Sequence, residues 1–270
     1  MTTYKSAKTL EEQIEYLKNN KRVCFNVIDE KNAKDILFKH NYINVISPYK
    51  HYFAKLNNKK EVIKVDGNHV YERDVEFNEY YELYKSEREK YPIIAANIMC
   101  FETQFNSILS YRTLTNYSIQ NDADLELFLH TVKLNIPSNS DYNEKRLNHI
   151  NNQIDDLVTL IPNYHDVYCF FDRLSLGSLL TIFCGLDMHI QKLILSDCEK
   201  SGINFGVNNV NAFISKFFAL VSIRNCVMHC NSLEILIRFY NPKTKDLRKS
   251  SDRKKYISMI RVLEKEKPHP

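Results

Sequence analysis

Apolar residues recur at steps of three and four along most of this chain, which is the spacing of one helix face. The clearest run comprises Ile94, Ile98, Phe101, Phe105 and Ile108. These residues predict one buried stripe on a long helix that runs to Arg112. Pro92 fits the first turn of that helix, where the backbone needs no N–H partner.

The same spacing predicts helices on both sides of this one. Thr9, followed by acidic residues, is typical of a capped helix start. Pro48 is expected to interrupt the segment Asn41–Phe53. Other predicted helices cover Asn32–His40, Leu125–Leu134, Lys145–Leu160, Leu174–Leu195, Asn208–Val227 and Tyr256–Leu263. The apolar run Leu233–Phe239 leaves the type of element open.

One segment departs from the helical pattern. Between residues 59 and 71, two β-branched runs flank Asp66-Gly67, which favours a hairpin, although a flexible loop is the alternative. Few glycines (5) and prolines (7) argue against a sheet protein with many turns. The chain is therefore predicted to be all-α and mainly helical. A small N-terminal helical region is expected over 1–78, with a helical domain and a basic C-terminal segment over 79–270.

Net charge and cysteine content do not change the predicted fold class. A net charge of +4 permits a nucleic-acid partner without requiring one. The 7 cysteines form no CxxC pair and are typical of reduced thiols in a cytoplasmic protein. We expect no secretory signal and no membrane span, because no stretch reaches ~18 uninterrupted apolar residues.

The segment Ile223–Cys230, IRNCVMHC, ends an apolar helix with polar residues where more core is expected. On a regular helix Asn225 and His229 lie within ~40° of each other, and Arg224 lies ~140° from His229. Histidine can act as a general acid or base, and arginine can bind a phosphate. Asn225 can orient the histidine or the phosphate, and this chemistry needs no metal or other cofactor. Equally, Asn225 and His229 can be a hydrogen-bonded pair in the core.

This motif resembles the RNxxxH form of the HEPN ribonuclease motif. The wider chain resembles the Abi (abortive infection, AbiD/AbiF-like) family. The resemblance extends over KTLEEQIEYLKNNKRV near the N-terminus, Lys39–Phe53, Phe77–Tyr84, Ile94–Tyr111 with Glu102, and Ile161–Leu186. These segments occur in the family's order and precede Arg224, Asn225 and His229.

The resemblance implies an all-α HEPN-like bundle and metal-independent RNA cleavage, with toxicity restrained until phage infection. Arg224, Asn225 and His229 would be the catalytic residues. Type VI CRISPR effectors use such motifs in pairs, and this chain has one copy, so the resemblance implies a homodimer. It also implies RNA partners, namely a substrate and a structured non-coding RNA. A non-catalytic HEPN module that binds RNA or a protein is the alternative.

Other residues carry weaker signals. Cys226, His229 and Cys230, with His165 or Cys169, would make a zinc site, but no spacing is diagnostic. Tyr49, Tyr52 and Phe53 can stack on bases or pack in the core. Glu102 can support the motif from a second helix or cap a helix. A cationic C-terminal set can follow an RNA backbone or form a solvated tail. Its members include Arg248, Lys249, Arg253, Lys254 and Lys255.

Overall fold

Helices make up most of the protein, so the predicted mainly-α class is confirmed. The computed structural model describes residues 8–57, 62–65, 68–136, 144–164, 166–203, 205–241 and 246–265. The helices are α1 Leu10–Lys21, α2 Glu30–His40, α3 Tyr42–Val45, α4 Lys50–Phe53, α5 Phe77–Glu89, α6 Tyr91–Asn116, α7 Asp122–Asn135, α8 Glu144–Leu160, α9 Val167–Asp172, α10 Leu176–Gly185, α11 Met188–Lys200, α12 Val210–Met228, α13 Leu233–Arg238 and α14 Ser250–Leu263. The short strands are β1 Val23–Cys24, β2 Lys64–Val65, β3 Asn68–His69, β4 Val75–Glu76, β5 Phe239–Asn241 and β6 Asp246–Leu247.

The chain divides into two compact units. Unit 1 comprises 1–92 and 226–249, and unit 2 comprises 93–225 and 250–270. Compared with the boundary predicted after residue 78, unit 1 extends further along the chain and also takes in a later segment. The helix α12 runs from unit 2 into unit 1, because the division falls between Asn225 and Cys226.

Unit 1 is built around α1, α2 and α5. Ile14, Leu17, Leu37, Phe77 and Tyr80 are almost fully buried in its core. The predicted N-cap of α1 is present, since the Thr9 side chain accepts the Glu12 backbone N–H and the Glu12 carboxylate accepts the Thr9 backbone N–H. This reciprocal capping satisfies backbone donors that the first turn leaves without helical partners.

Unit 1 also contains two short strand pairs, which precede α5 in the chain. β1 and β4 are parallel, with Val23 opposite Val75. β2 and β3 are antiparallel, with Lys64 opposite His69, as the hairpin prediction requires. The predicted turn at Asp66-Gly67 lies outside the described residues. Pro48 separates α3 from α4, as expected.

Unit 2 is organised by α6 and α12, whose aromatic side chains meet in its core. Ile94, Ile98, Phe101 and Phe105 are buried as predicted, whereas Ile108 is only half-buried. The Phe105 ring lies 4.7 Å from that of Phe217, measured between centroids, in an edge-on arrangement. Edge-on packing is favourable because the ring edges are positive and the faces negative.

The prediction of one helix over Leu174–Leu195 is wrong. The chain breaks after Gly185, and α11 begins at Met188. Asp187 occupies the break, where the Tyr117 hydroxyl donates to its carboxylate at 2.9 Å. Apolar spacing does not reveal the break, because Phe183 and Leu186 on either side of Gly185 are both buried.

By length and composition, α12 is the one helix in the described part of the chain that is apolar enough to cross a membrane. A buried core helix passes the same test. Phe213, Phe217, Leu220 and Ile223 on α12 are fully buried inside the protein. Their burial accounts for the apolar character of α12 without a membrane.

Candidate functional site at the end of α12

The polar motif of the sequence lies where α12 ends. Arg224 and Asn225 are the last residues of α12 that belong to unit 2, and His229 follows the helix in unit 1. Arg224 is partly exposed, and Asn225 and His229 are exposed. The angle predicted between Asn225 and His229 assumes a regular helix through residue 229, whereas α12 ends at Met228.

In unit 2, Arg224 faces a carboxylate on α6. Arg224 Nε lies 3.9 Å from Glu102 Oε2, and the two side chains are 32% and 21% exposed. Glu102 Oε1 also accepts the amide of Leu176, the first residue of α10, at 2.9 Å. One oxygen of Glu102 thus caps α10, as the capping alternative requires, and the other faces Arg224.

Arg224 Nε remains without a hydrogen-bond partner, although the atom itself is buried. The distance to Glu102 is too long for a hydrogen bond, so the contact is electrostatic. The exposed part of the Arg224 side chain is therefore the part that can meet a ligand in solution.

In unit 1, His229 begins a tight turn that closes α12. The Asn231 amide donates to the Cys226 carbonyl at 2.8 Å, and the Cys230 amide donates to the Val227 carbonyl at 3.0 Å. Cys230 adopts a left-handed backbone with φ 50°. Together these features form a Schellman cap with His229 at the C-cap position. The cap holds the backbone of His229 while its side chain is exposed.

Comparison with known proteins places these residues in a family. A family model described as Abi-like protein matches residues 35–233, well over half of the 270 residues. The chain belongs to the Abi-like family. The matched range contains Arg224, Asn225 and His229, and membership associates the chain with abortive-infection defence. No curated protein and no solved structure matches it.

The cysteines next to the Abi-like chain's motif differ in environment. Cys226 is buried, and burial together with the negative charge of Glu87 raises the pKa of its thiol to about 12. Cys230 is exposed. Metal binding requires the thiolate, so the surroundings of Cys226 disfavour the zinc interpretation. Throughout the described ranges, no three His, Cys, Asp or Glu side chains group as metal ligands; His165 lies outside those ranges.

The predicted RNA-binding cations are divided between the two units. Arg248 and Lys249 belong to unit 1, and Arg253, Lys254 and Lys255 lie on α14 in unit 2. Arg248 Nε donates to the Leu236 carbonyl at 2.8 Å, and Lys255 Nζ donates to Ser215 Oγ at 3.2 Å. Lys249, Arg253 and Lys254 are exposed. These three therefore present the most accessible charge of the set.

The candidate stacking residues have separate environments in unit 1. Tyr49 is buried, and the Phe53 ring packs 4.6 Å from that of Tyr80. Tyr52 is 55% exposed, but its hydroxyl donates to Glu234 Oε2 at 2.9 Å. Core packing thus accounts for Tyr49 and Phe53, whereas Tyr52 is exposed and its ring packs against that of His51, with 4.3 Å between centroids.

Proposed function

We propose that this Abi-like protein is a HEPN-type, metal-independent endoribonuclease that acts as an abortive-infection effector in the cytoplasm. The observation that supports the proposal most is local. Arg224 and Asn225 break the apolar pattern near the end of α12, His229 follows the helix, and none of the three is sealed from solvent. Polar residues that break a buried pattern yet remain accessible are typical of functional sites.

Each residue has a role that suits its chemistry. His229 moves the protons as general base or general acid. Arg224 binds the non-bridging phosphate oxygens and stabilises the negative charge of the transition state. Asn225 orients the phosphate or the imidazole through its amide.

The reaction is an internal transfer of the phosphate. The RNA 2′-oxygen attacks the adjacent phosphorus while its proton passes to one histidine. The bond from phosphorus to the 5′-oxygen breaks, and the leaving oxygen takes a proton from a second acid. The products are a 2′,3′-cyclic phosphate and a 5′-hydroxyl end, and the proposed route uses side chains alone to move the protons and stabilise the charge.

A homodimer fits this chemistry because each chain supplies one motif. Two copies of His229 would provide the base and the acid for one phosphodiester. Lys249, Arg253 and Lys254 would attract the RNA backbone by charge. A structured non-coding RNA bound to the same cations would restrain the enzyme until infection.

The test uses end-labelled RNA and purified protein in EDTA. The wild type is expected to yield 2′,3′-cyclic phosphate ends, and Arg224→Ala or His229→Ala is expected to lower the rate by about 10²-fold or more. Arg173→Ala and His189→Ala are matched controls, because both side chains are exposed in unit 2 outside the motif. Sedimentation of the wild type measures its mass in solution and so tests the homodimer. Cleavage that requires added metal, or that survives both motif variants, would refute the proposal.

The pairing of Arg224 with Glu102 favours a second candidate, a HEPN module that binds RNA or protein without turnover. There the arginine would shape unit 2 and have no chemical role. Tight RNA binding that persists in Arg224→Ala and His229→Ala, with no cyclic phosphate product from the wild type, would favour this candidate.

A further inference from the structure

Glu87 on α5 connects with the start of α13 inside unit 1. Its Oε1 accepts the Leu233 amide at 3.0 Å, and its Oε2 accepts the Glu234 amide and the Ser232 hydroxyl, both at 3.2 Å. Ser232 is the N-cap residue of α13, but its own side chain makes no capping hydrogen bond. The carboxylate of Glu87 therefore supplies from another helix the acceptors that a helix start requires.

The residues next to Glu87 hold the carbonyl group of Asn231. Arg88 Nη1 donates to the Asn231 carbonyl oxygen at 3.4 Å. The Tyr91 hydroxyl contacts the same oxygen and also lies 2.8 Å from Glu87 Oε1, so its single proton serves one of two acceptors. The Arg88 guanidinium sits 4.7 Å from the centre of the Tyr91 ring, and this cation–π contact keeps the two side chains together.

These contacts fix a short segment at both ends. On one side, the Schellman cap ties Asn231 to Cys226 at the end of α12. On the other side, Glu87 ties Ser232 and Leu233 to α5. His229 lies between the helix end and this anchor, so the position of its backbone depends on both. Ser232 and Leu233 are buried, which makes their bonds to Glu87 costly to lose.

We propose that Glu87 is a positioning residue for His229, acting through the turn of residues 230–233 and not by touching RNA. The proposal rests on the ribonuclease function assigned above to His229. A general acid or base must stay within hydrogen-bond reach of the proton that it transfers, and small displacements of such a group are costly to the rate. Glu87, Arg88 and Tyr91 thus hold the backbone next to His229 within unit 1, although they lie far from the motif in sequence.

The experiment compares Glu87→Ala and Glu87→Gln with the wild type as full-length protein. Glutamine keeps one acceptor oxygen and alanine keeps none. Glu89→Gln is the matched control, because Glu89 is an exposed glutamate on the same helix. We expect kcat to fall by roughly tenfold or more in Glu87→Ala and by less in Glu87→Gln, with KM changed by less than about threefold. Ser232→Ala removes one donor to Glu87 and gives a milder variant should Glu87→Ala fail to fold.

A second measurement does not require activity. The imidazole proton signals of His229 in NMR spectra, together with amide exchange at Leu233 and Glu234, report the turn directly. We expect these signals to shift and exchange to accelerate in the Glu87 variants but not in Glu89→Gln. Unchanged signals, or an unchanged kcat in a folded Glu87→Gln protein whose turn has moved, would overturn the proposal. Should the wild type not cleave RNA, the ribonuclease function fails, while the NMR comparison still decides whether Glu87 positions His229.

Discussion

Glu102 and Arg224 face each other across unit 2, with Glu102 Oε2 3.9 Å from Arg224 Nε. The other oxygen of the same carboxylate accepts the Leu176 amide at the start of α10. One side chain of α6 thus fixes the beginning of α10 and sets the charge around the arginine of the motif. The carboxylate of Glu102 partly offsets the positive charge of Arg224.

Replacement of Glu102 by alanine is expected to destabilise the protein by about 1–3 kcal/mol, because the Leu176 amide loses its acceptor and Arg224 its carboxylate. Glu102→Gln keeps an acceptor oxygen and should cost less. Urea denaturation measures both. Glu126→Ala is the control, since Glu126 is exposed and pairs only at the surface with His130. A loss in Glu102→Ala no larger than that of the control would contradict the structural role.

Helical spacing in the sequence was sufficient for most of the fold. The stripe on α6 and the capped start of α1 follow from local rules, because successive residues of the stripe lie about one turn apart and the capping residues lie within one turn. The break between α10 and α11 does not follow from apolar spacing. Both sides of that break are buried, so the pattern continues through it, and only Gly185 followed by Asp187 marks the helix end and the next start.

The candidate site was predictable only in its local part. Arg224, Asn225 and His229 are close in sequence, and their types break an apolar pattern. Glu87 gives no such signal, because it meets Ser232 from 145 residues away, and a glutamate on an amphipathic helix is ordinary. For Glu102, the contact with Leu176 spans 74 residues. Contacts of this kind depend on tertiary packing, which local patterns do not encode.

Cys230 is predicted to cost stability through its backbone. Its φ of 50° lies in the left-handed region, where glycine is free of the strain that a side chain introduces. Cys230→Gly is therefore expected to stabilise the protein by about 0.5–1 kcal/mol. Cys100→Gly is the matched control. Cys100 is exposed inside α6, where glycine lowers helix propensity, so that variant should lose several tenths of a kcal/mol, roughly. Thermal unfolding of both variants measures the difference, and equal effects would exclude backbone strain at Cys230.

Lys21 should make the stability of the protein depend on pH. It is only 5% exposed, and burial, together with the charge of Lys50, lowers its pKa from 10.5 to about 8. The folded state therefore binds fewer protons than the unfolded state between pH 8 and pH 10, and the contribution of Lys21 to stability rises with pH across this window. The cost of the buried charge is fully present below pH 8.

Lys21→Met removes that dependence. Its stability relative to the wild type is expected to be most favourable near pH 7 and to decline by up to about 3 kcal/mol towards pH 10. The comparison is confined to pH 10 and below. Burial raises the pKa of Tyr71 to about 12, so above pH 10 the titration of Tyr71 lowers the stability of the protein as the pH rises. Lys39→Met on the exposed face of α2 is the control and should show a flat difference. Urea unfolding at several pH values measures the stability of both variants. The same dependence on pH in Lys21→Met and Lys39→Met would disprove the effect.

The two glycines of α10 differ in the space around them. A Cβ on Gly185 would lie 2.4 Å from the Val132 carbonyl oxygen of α7, whereas a Cβ on Gly177 would meet nothing closer than Ser175 Oγ at 3.7 Å. Gly185→Ala forces the backbones of α7 and α10 apart and is expected to destabilise unit 2 by about 3 kcal/mol or more. Gly177→Ala replaces glycine by a better helix former in ordinary contact and should stabilise by up to about 1 kcal/mol. Urea unfolding of both variants isolates the effect of the space around each glycine, because the same methyl group is added to the same helix. Equal tolerance of both alanines would show that the close approach of α7 to α10 at Gly185 is not required for the fold.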